Sequence, residues 1–195
     1  VVCRRQRQMC IRDSIIVKKL NSTANWNIFH KDLSANQGLR FTTATPISNA
    51  FGSMSATTIG VKSPYSYASG DNYVHYAWHS VDGYSKFGSY NGNNNTNGPL
   101  VYTGFRPRLL VIKGVDEAYS WFVFDSARNT ANLVDKHLRW DGTDGELTEP
   151  TGARRVDFLS SGFKIRASAA SLNGDNDTYI YMAWADVPAK YNNAF

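Results

Sequence analysis

The strongest constraint on this chain is an internal repeat. The string IIVK at 15–18 matches LVIK at 110–113, and at the same separation Trp26 and Phe29 match Trp121 and Phe124. Leu39-Arg40-Phe41 then matches Leu138-Arg139-Trp140, and Ile59 and Val61 match Phe163 and Ile165. Last, Tyr73-Val74-His75-Tyr76-Ala77-Trp78 matches Tyr179-Ile180-Tyr181-Met182-Ala183-Trp184. The separation grows only in stretches rich in Gly, Asn, Ser, Thr and Asp, where loops tolerate insertion. Blocks kept in one order make the chain two copies of one module. The copies are unequal: residues 83–109, ahead of LVIK, have no counterpart ahead of IIVK. The first copy is therefore expected to begin mid-module, truncated at its N-terminal side, with an edge or an apolar face uncovered. This gives a partial module at 15–81 and a complete one at 82–195.

The matched blocks read as strands. Along 179–184, Ile180, Met182 and Trp184 share one face, and Tyr179, Tyr181 and Ala183 the other; 73–78 repeats the alternation. WFVF at 121–124 is apolar on both faces, as in a strand covered on two sides. Strands are expected at 15–19, 25–30, 38–42, 57–62, 72–79, 84–90, 99–103, 109–113, 119–125, 136–140, 154–158, 162–168 and 178–185. Helical periodicity is weak, with 126–136 the best candidate for a turn or two. The fold class is all-β: two tandem antiparallel β-sandwich-like modules.

Composition supports a packed core, with 42% hydrophobic and 19% charged residues among 195, which excludes intrinsic disorder. No apolar run reaches the roughly 18 residues of a membrane-spanning helix. The net charge of +5 hints at nucleic acid, but its distribution weakens that reading. Residues 1–14, VVCRRQRQMCIRDS, hold four of the 21 basic residues and one of the 16 acidic ones, leaving 17 and 15 elsewhere, a net of +2. Both cysteines lie there too, so disulfides, thiol catalysis and cysteine–zinc sites drop out of the remainder. A basic arm is one reading of this segment; a signal peptide lacks its apolar region. The string RQRQMCIRDS also resembles translated sequencing-adapter read-through ahead of metagenomic reading frames, and 1–14 is set aside as foreign.

Residues able to carry chemistry are few. Ser161-Gly162-Phe163-Lys164 fits SxxK, but on a strand residues three apart point to opposite faces. His75 and His79 would lie about 13 Å apart on a strand, too far to share an ion. His30 and His137 have no ligand-spaced neighbours, and all four histidines are expected at the surface or half buried. Asp141, Asp144, Glu146 and Glu149 could hold calcium or, with Asp125 or Asp157, form the carboxylate pair of a glycosidase; an acidic turn facing water is the ordinary reading. No catalytic residue, metal site or cofactor is assigned. Lys18, Lys19, Arg106, Arg108, Arg154, Arg155, Lys164 and Arg166 are scattered among acids, so no nucleic-acid partner is expected. The repeated Trp26, Trp78, Trp121 and Trp184 are expected in the core. Tyr65, Tyr67, Tyr84, Tyr90, Tyr102 and Trp140 fall in loops or at strand ends, where aromatic rings can stack on a sugar. Of these, Tyr84, Tyr90, Tyr102 and Trp140 are the candidate surface or glycan contacts.

GYSKFGSYNGNNNTNGPLVYTGFRPRLLVIK, with VDFLSSGFKIR and TYIYMAWAD, resembles a repeated β-module of bacteriophage tail-fibre and related tail-appendage proteins of the marine type. The resemblance covers essentially all of 15–195. It implies a non-enzymatic structural and adhesive module in a virion tail appendage, assembled in the host cytoplasm without membrane insertion. The implied partner is a bacterial surface receptor or glycan, and the implied state a homo-oligomer, with a trimer expected. The alternatives are a freestanding carbohydrate-binding β-sandwich and, behind it, a polysaccharide depolymerase.

Overall fold

The computed structural model of the chain describes residues 12–55, 58–149 and 151–185. Its strands are β1 (Ser14–Lys19), β2 (Asn27–His30), β3 (Leu39–Arg40), β4 (Tyr73–Trp78), β5 (Ser85–Asn91), β6 (Leu100–Tyr102), β7 (Pro107–Gly114), β8 (Trp121–Asp125), β9 (Lys136–Arg139), β10 (Leu147–Thr148), β11 (Val156–Leu159), β12 (Gly162–Ile165) and β13 (Thr178–Ala185). One four-residue helix, α1 (Ala170–Asn173), interrupts them. The pairing is antiparallel throughout, in sheets ordered β3-β2-β1-β4, β10-β9-β8-β7-β13-β5 and β11-β12-β6. The chain is all-β.

The repeat is visible in the pairing. The first sheet, β3-β2-β1-β4, has the same order as β9-β8-β7-β13 within the second. Registers agree residue for residue: Ile15 faces Phe29 as Leu110 faces Phe124, and Ile16 faces Ile28 as Val111 faces Val123. Likewise Ile16 faces Tyr76 as Val111 faces Met182, and Ser14 faces Trp78 as Leu109 faces Trp184. A one-residue slip would turn every side chain to the wrong face, so the alternating apolar pattern fixes this register in both copies.

The sheets stack in layers. Ile16, Ile28 and Leu39 of the first sheet pack with Val111, Trp121, Val123, Ile180 and Met182 of the second in one continuous core. Equivalent faces of the two copies thus meet, as in an interface between identical subunits. Trp78 meets its counterpart Trp184 edge-on at 6.4 Å, and Phe41 meets its counterpart Trp140 at 5.4 Å. The opposite face of the second sheet, with Leu110, Ile112, Phe122, Phe124, Tyr179 and Tyr181, packs on Val156, Phe158, Phe163 and Ile165 of the third sheet and on Leu172 of α1. WFVF is apolar on both faces because β8 lies in this middle layer. The two tandem modules therefore share a core.

The outer cover differs between copies. In the second it is a regular hairpin, β11–β12, in which Val156 pairs with Ile165. In the first, Ile15 and Val17 are covered by an irregular segment carrying Ala50, Phe51, Ile47, Ile59 and Tyr65, held by the isolated bridges Gly38–Ile47 and Phe51–Val61. The strand expected over 57–62 is reduced to the Phe51–Val61 bridge within its described residues. The two arms cross so closely that a Cβ on Gly60 would lie 2.3 Å from the Ser53 carbonyl oxygen. The helix expected over 126–136 is a run of turns, with β9 beginning at Lys136. Asp125 accepts the Ala127 amide at 2.8 Å and Asn129 donates to Asp135 at 2.6 Å, local bonds that compete with a helical ladder.

Asp13 and Ser14, set aside on sequence grounds with 1–14, are integral to the first sheet. Ser14 opens β1, and the buried Asp13 carboxylate accepts the Ser80 amide at 2.6 Å and its hydroxyl at 2.5 Å. Residues 1–11 lie outside the described residues.

Polar groups cross the shared layer. The fully buried Trp121 donates its indole N–H to the Arg40 carbonyl at 2.8 Å. The Lys113 ammonium, also fully buried, donates to the carbonyls of Gly114 at 2.8 Å and Thr43 at 3.3 Å. His30 accepts the Asp32 amide on Nδ1, which leaves the proton on Nε2 to donate to the Tyr181 carbonyl at 3.2 Å. The expectation of surface or half-buried histidines fails for His30 and His137, both fully buried.

The two copies of the repeated tryptophan should respond differently to truncation. Trp121→Ala removes a fully buried ring and is expected to cost about 3–5 kcal/mol in urea unfolding. Trp26, 38% exposed, should cost well under half of that when changed to Ala. Stability should also depend on His30. Burial holds its imidazole at about 4, despite the opposing pull of Asp32. In the unfolded chain it titrates near 6.5. The unfolded state therefore takes up the proton first, so this contribution is complete above about pH 6.5 and is lost as pH falls toward 4. The expected loss is roughly 3 kcal/mol across that window, with His30→Gln flattening the pH slope of the unfolding free energy.

Candidate functional site

Tyr84, Tyr90, Tyr102 and Trp140 do not form one site. Tyr90 is in the core: its ring stacks on Tyr179 at 5.0 Å, and its hydroxyl donates to the Leu172 carbonyl at 2.8 Å. As a surface contact it is corrected. The alternation of β5 turns it inward with Phe163 and Tyr179, and burial raises its phenol pKa well above the ordinary value. Tyr84 is exposed in the turn between β4 and β5, where its carbonyl accepts the Ala185 amide at 2.7 Å. Trp140 is half-exposed and lies beyond β9, bonded through its amide to the Trp121 carbonyl at 3.1 Å. Tyr84 lies beside Ala185 of β13, whereas Trp140 lies beside Trp121, which pairs with Lys113 and through it with Ile180; five residues along β13 and four strand spacings across the sheet put the two roughly 25 Å apart. Tyr102, 73% exposed, stands on β6, an outer strand of the third sheet.

The carboxylates considered for calcium or hydrolysis are engaged. Asp141 accepts the Trp121 amide at 2.8 Å, and Asp144 pairs with Arg139 at 3.6 Å. Glu146 bridges Arg128 at 2.9 Å and Lys136 at 3.3 Å, and these cations hold it below the usual carboxylate range. Glu149 pairs with Arg154 at 2.8 Å, Asp125 with Arg108 at 3.6 Å and Asp157 with Arg166 at 3.4 Å. No group of three metal-ligating side chains converges among the described residues.

Two surfaces emerge that the sequence reading passed over. One is an aromatic row on the first sheet. Trp26, just ahead of β2, lies 6.4 Å from Tyr76 with their planes 27° apart, and Tyr76 lies 6.2 Å from Trp78 at 22°. Lys18 caps the row, its ammonium 5.6 Å from the centre of the Trp26 ring. Tyr76 is 47% exposed, where its counterpart Met182 is buried. The signal was available: a repeated position that is tyrosine in one copy and methionine in the other has two environments. The second surface is a cavity of about 400 Å³ lined by Thr96, Thr151, Gly152, Arg155, Arg166 and Ser168. Its wall comes from four separate segments, around Thr96, Leu133, 151–155 and 166–169, so no local motif announces it.

A family model described as a domain of unknown function, DUF7483, matches residues 10–188. The chain belongs to that family. No curated protein and no solved structure matches it. In this DUF7483 domain, then, the polar cavity and the aromatic row are two features with recognition capacity. The cavity offers guanidinium and hydroxyl donors; the row offers flat apolar faces beside a sheet edge.

Core and surface aromatics should separate cleanly in stability measurements. Tyr90→Ala is expected to lower the urea midpoint by the equivalent of about 3–5 kcal/mol. Tyr102→Ala should stay within about 0.5 kcal/mol of the parent.

Proposed function

We propose that the chain is a structural and adhesive module of a phage tail-fibre type of appendage, which spaces or presents a contact toward a bacterial surface receptor or glycan. The observation that carries this reading is the stacking of a duplicated sheet through its own equivalent faces. Such a unit gains stability by being repeated, which suits a long, load-bearing part. The engagement of Asp125, Asp141, Asp144, Glu146, Glu149 and Asp157 by cations or a backbone amide supports the same reading, since a hydrolytic pair needs one carboxylate held protonated and another free. Assembly as a homotrimer in the virion completes the proposal.

A carbohydrate-binding module is the second reading, favoured by the cavity beside Arg155 and Arg166. Its Thr96, Thr151 and Ser168 hydroxyls suit a sugar, and its guanidiniums, Arg155 bonded to the Glu149 carbonyl and Arg166 paired with Asp157, add positive charge to the lining. Light scattering, pull-down on whole bacteria and a glycan array distinguish the two. The structural and adhesive reading expects trimers and saturable retention on susceptible cells, with no reducing ends released from their polysaccharide. A monomer with a strong array signal, lost in Arg166→Ala, would establish the carbohydrate-binding module instead. Release of reducing ends abolished by Asp144→Asn or Glu146→Gln would replace both readings with a depolymerase.

A further inference from the structure

The two copies of the sheet differ at one edge. In the second copy β13 has a neighbour on each side, β7 and β5. Its counterpart β4 pairs with β1 alone, and its other side is open among the described residues. Backbone polarity along β4 is fixed by its ends: the Trp78 carbonyl accepts the Asp13 amide and the Asn72 carbonyl accepts the Leu20 amide, both toward β1. Alternation then turns the N–H and C=O of Tyr73, His75 and Ala77 to the open side. On β13 the matching positions, Tyr179, Tyr181 and Ala183, face β5, as the Ala185 amide bonded to the Tyr84 carbonyl shows.

This edge lacks the usual protections. β4 reads YVHYAW, without lysine, acid or proline, and its register with β1 runs unbroken by a bulge. Its aromatic row lies on the face that, in the second copy, continues onto β5. There Phe87 pairs with Met182 and packs edge-on against Trp184 at 5.5 Å. Tyr76 and Trp78 are the counterparts of Met182 and Trp184; Trp184 meets Trp78 across the layer, but among the described residues no strand beyond β4 brings a ring like Phe87 against them. Gly88, opposite Tyr181, leaves room for that ring, since a Cβ there would lie 2.6 Å from the Tyr181 hydroxyl. Residues 1–14, ahead of Ile15, carry no match to the Phe87-Gly88 pattern of β5.

We propose that the open edge of β4 seats an antiparallel strand of the β5 pattern, contributed by a further copy of the repeat. Its register is that of β5 on β13: phenylalanine opposite Tyr76 and packed on Trp78, glycine opposite His75, and backbone bonds to Tyr73, His75 and Ala77. Edge pairing supplies the attraction, and the aromatic row selects the occupant. The inference stands apart from the tail-fibre reading, because it follows from the unequal copies alone.

The test is binding of a labelled synthetic peptide of residues 83–92 to the full chain, read by fluorescence anisotropy. Saturable binding is expected, weakened at least tenfold by Phe87→Ala in the peptide. It should be lost when the chain carries Ala77→Pro, which removes one outward N–H and is tolerated at an open edge. Hydrogen exchange on the unmodified chain gives a second readout that does not depend on how the proline variant folds: the peptide should slow exchange of the His75 and Ala77 amides. Absence of saturation at millimolar peptide overturns the proposal. So do binding retained by a folded Ala77→Pro chain and unchanged exchange at His75 and Ala77. Dimers of the chain alone that are lost in Ala77→Pro would assign the edge to β4–β4 pairing and overturn it as well.

Discussion

The structure depends on the apolar layer between the first and second sheets. The middle sheet has two apolar faces, and a sheet of that kind must be covered on both. The third sheet covers one face; the first repeat covers the other through Ile16, Ile28, Leu39 and Trp78. Apolar burial supplies the attraction but has no direction. The orientation of one sheet on the other is set by His30, Trp121 and Lys113, each donating across the layer to a backbone carbonyl, of Tyr181, Arg40 and Thr43 respectively. A buried donor left without its acceptor is costly, so these bonds disfavour any slide of one sheet over the other. Burial lowers the Lys113 ammonium to about 8, with Asp141 opposing the shift, which shows how far that group has been drawn from water.

Much of this was legible in the sequence. Period-two alternation identified the faces of β4 and β13, and WFVF announced a strand covered on both sides. The matched blocks carried the register, because a repeat that conserves which residues are apolar also conserves which residues pair. Mutual packing was not legible: period two says that a face is apolar, not what meets it, so two modules in series and two modules stacked give the same pattern. Tyr90 was misplaced for a related reason. Its neighbours Ser89, Asn91 and Asn93 are polar, and only the turn of β5 toward Phe163 and Tyr179 shows that its ring points inward.

The candidate site was less legible than the fold. The acids at 144–149 and the arginines and lysines that pair with them are separated by up to 18 residues, as Arg128 and Glu146 are. Composition registers such charges as a mixed surface; their pairing exists only once β8, β9 and β10 lie side by side. The same holds for the cavity, whose Thr96, Arg155 and Ser168 come from different segments. Exposure of Trp26 was hidden by its match to Trp121, because identity of residue suggested identity of environment.

That last point bears on where a duplicated fold can carry function. Positions that match between the copies are largely consumed by packing, in the shared layer or against the outer covers. Freedom to recognise something else remains where the copies part. Tyr76 against Met182 places an exposed ring on an edge in one copy and a buried thioether in the centre of a sheet in the other. Residues 151–169 build β11, β12 and, with Thr96 and Leu133, the arginine-lined cavity in the second copy, while the first covers its sheet with an irregular segment. Stability therefore follows the symmetry of the repeat, and recognition follows its breaking. The β4 edge and the arginine-lined cavity both lie where that symmetry fails.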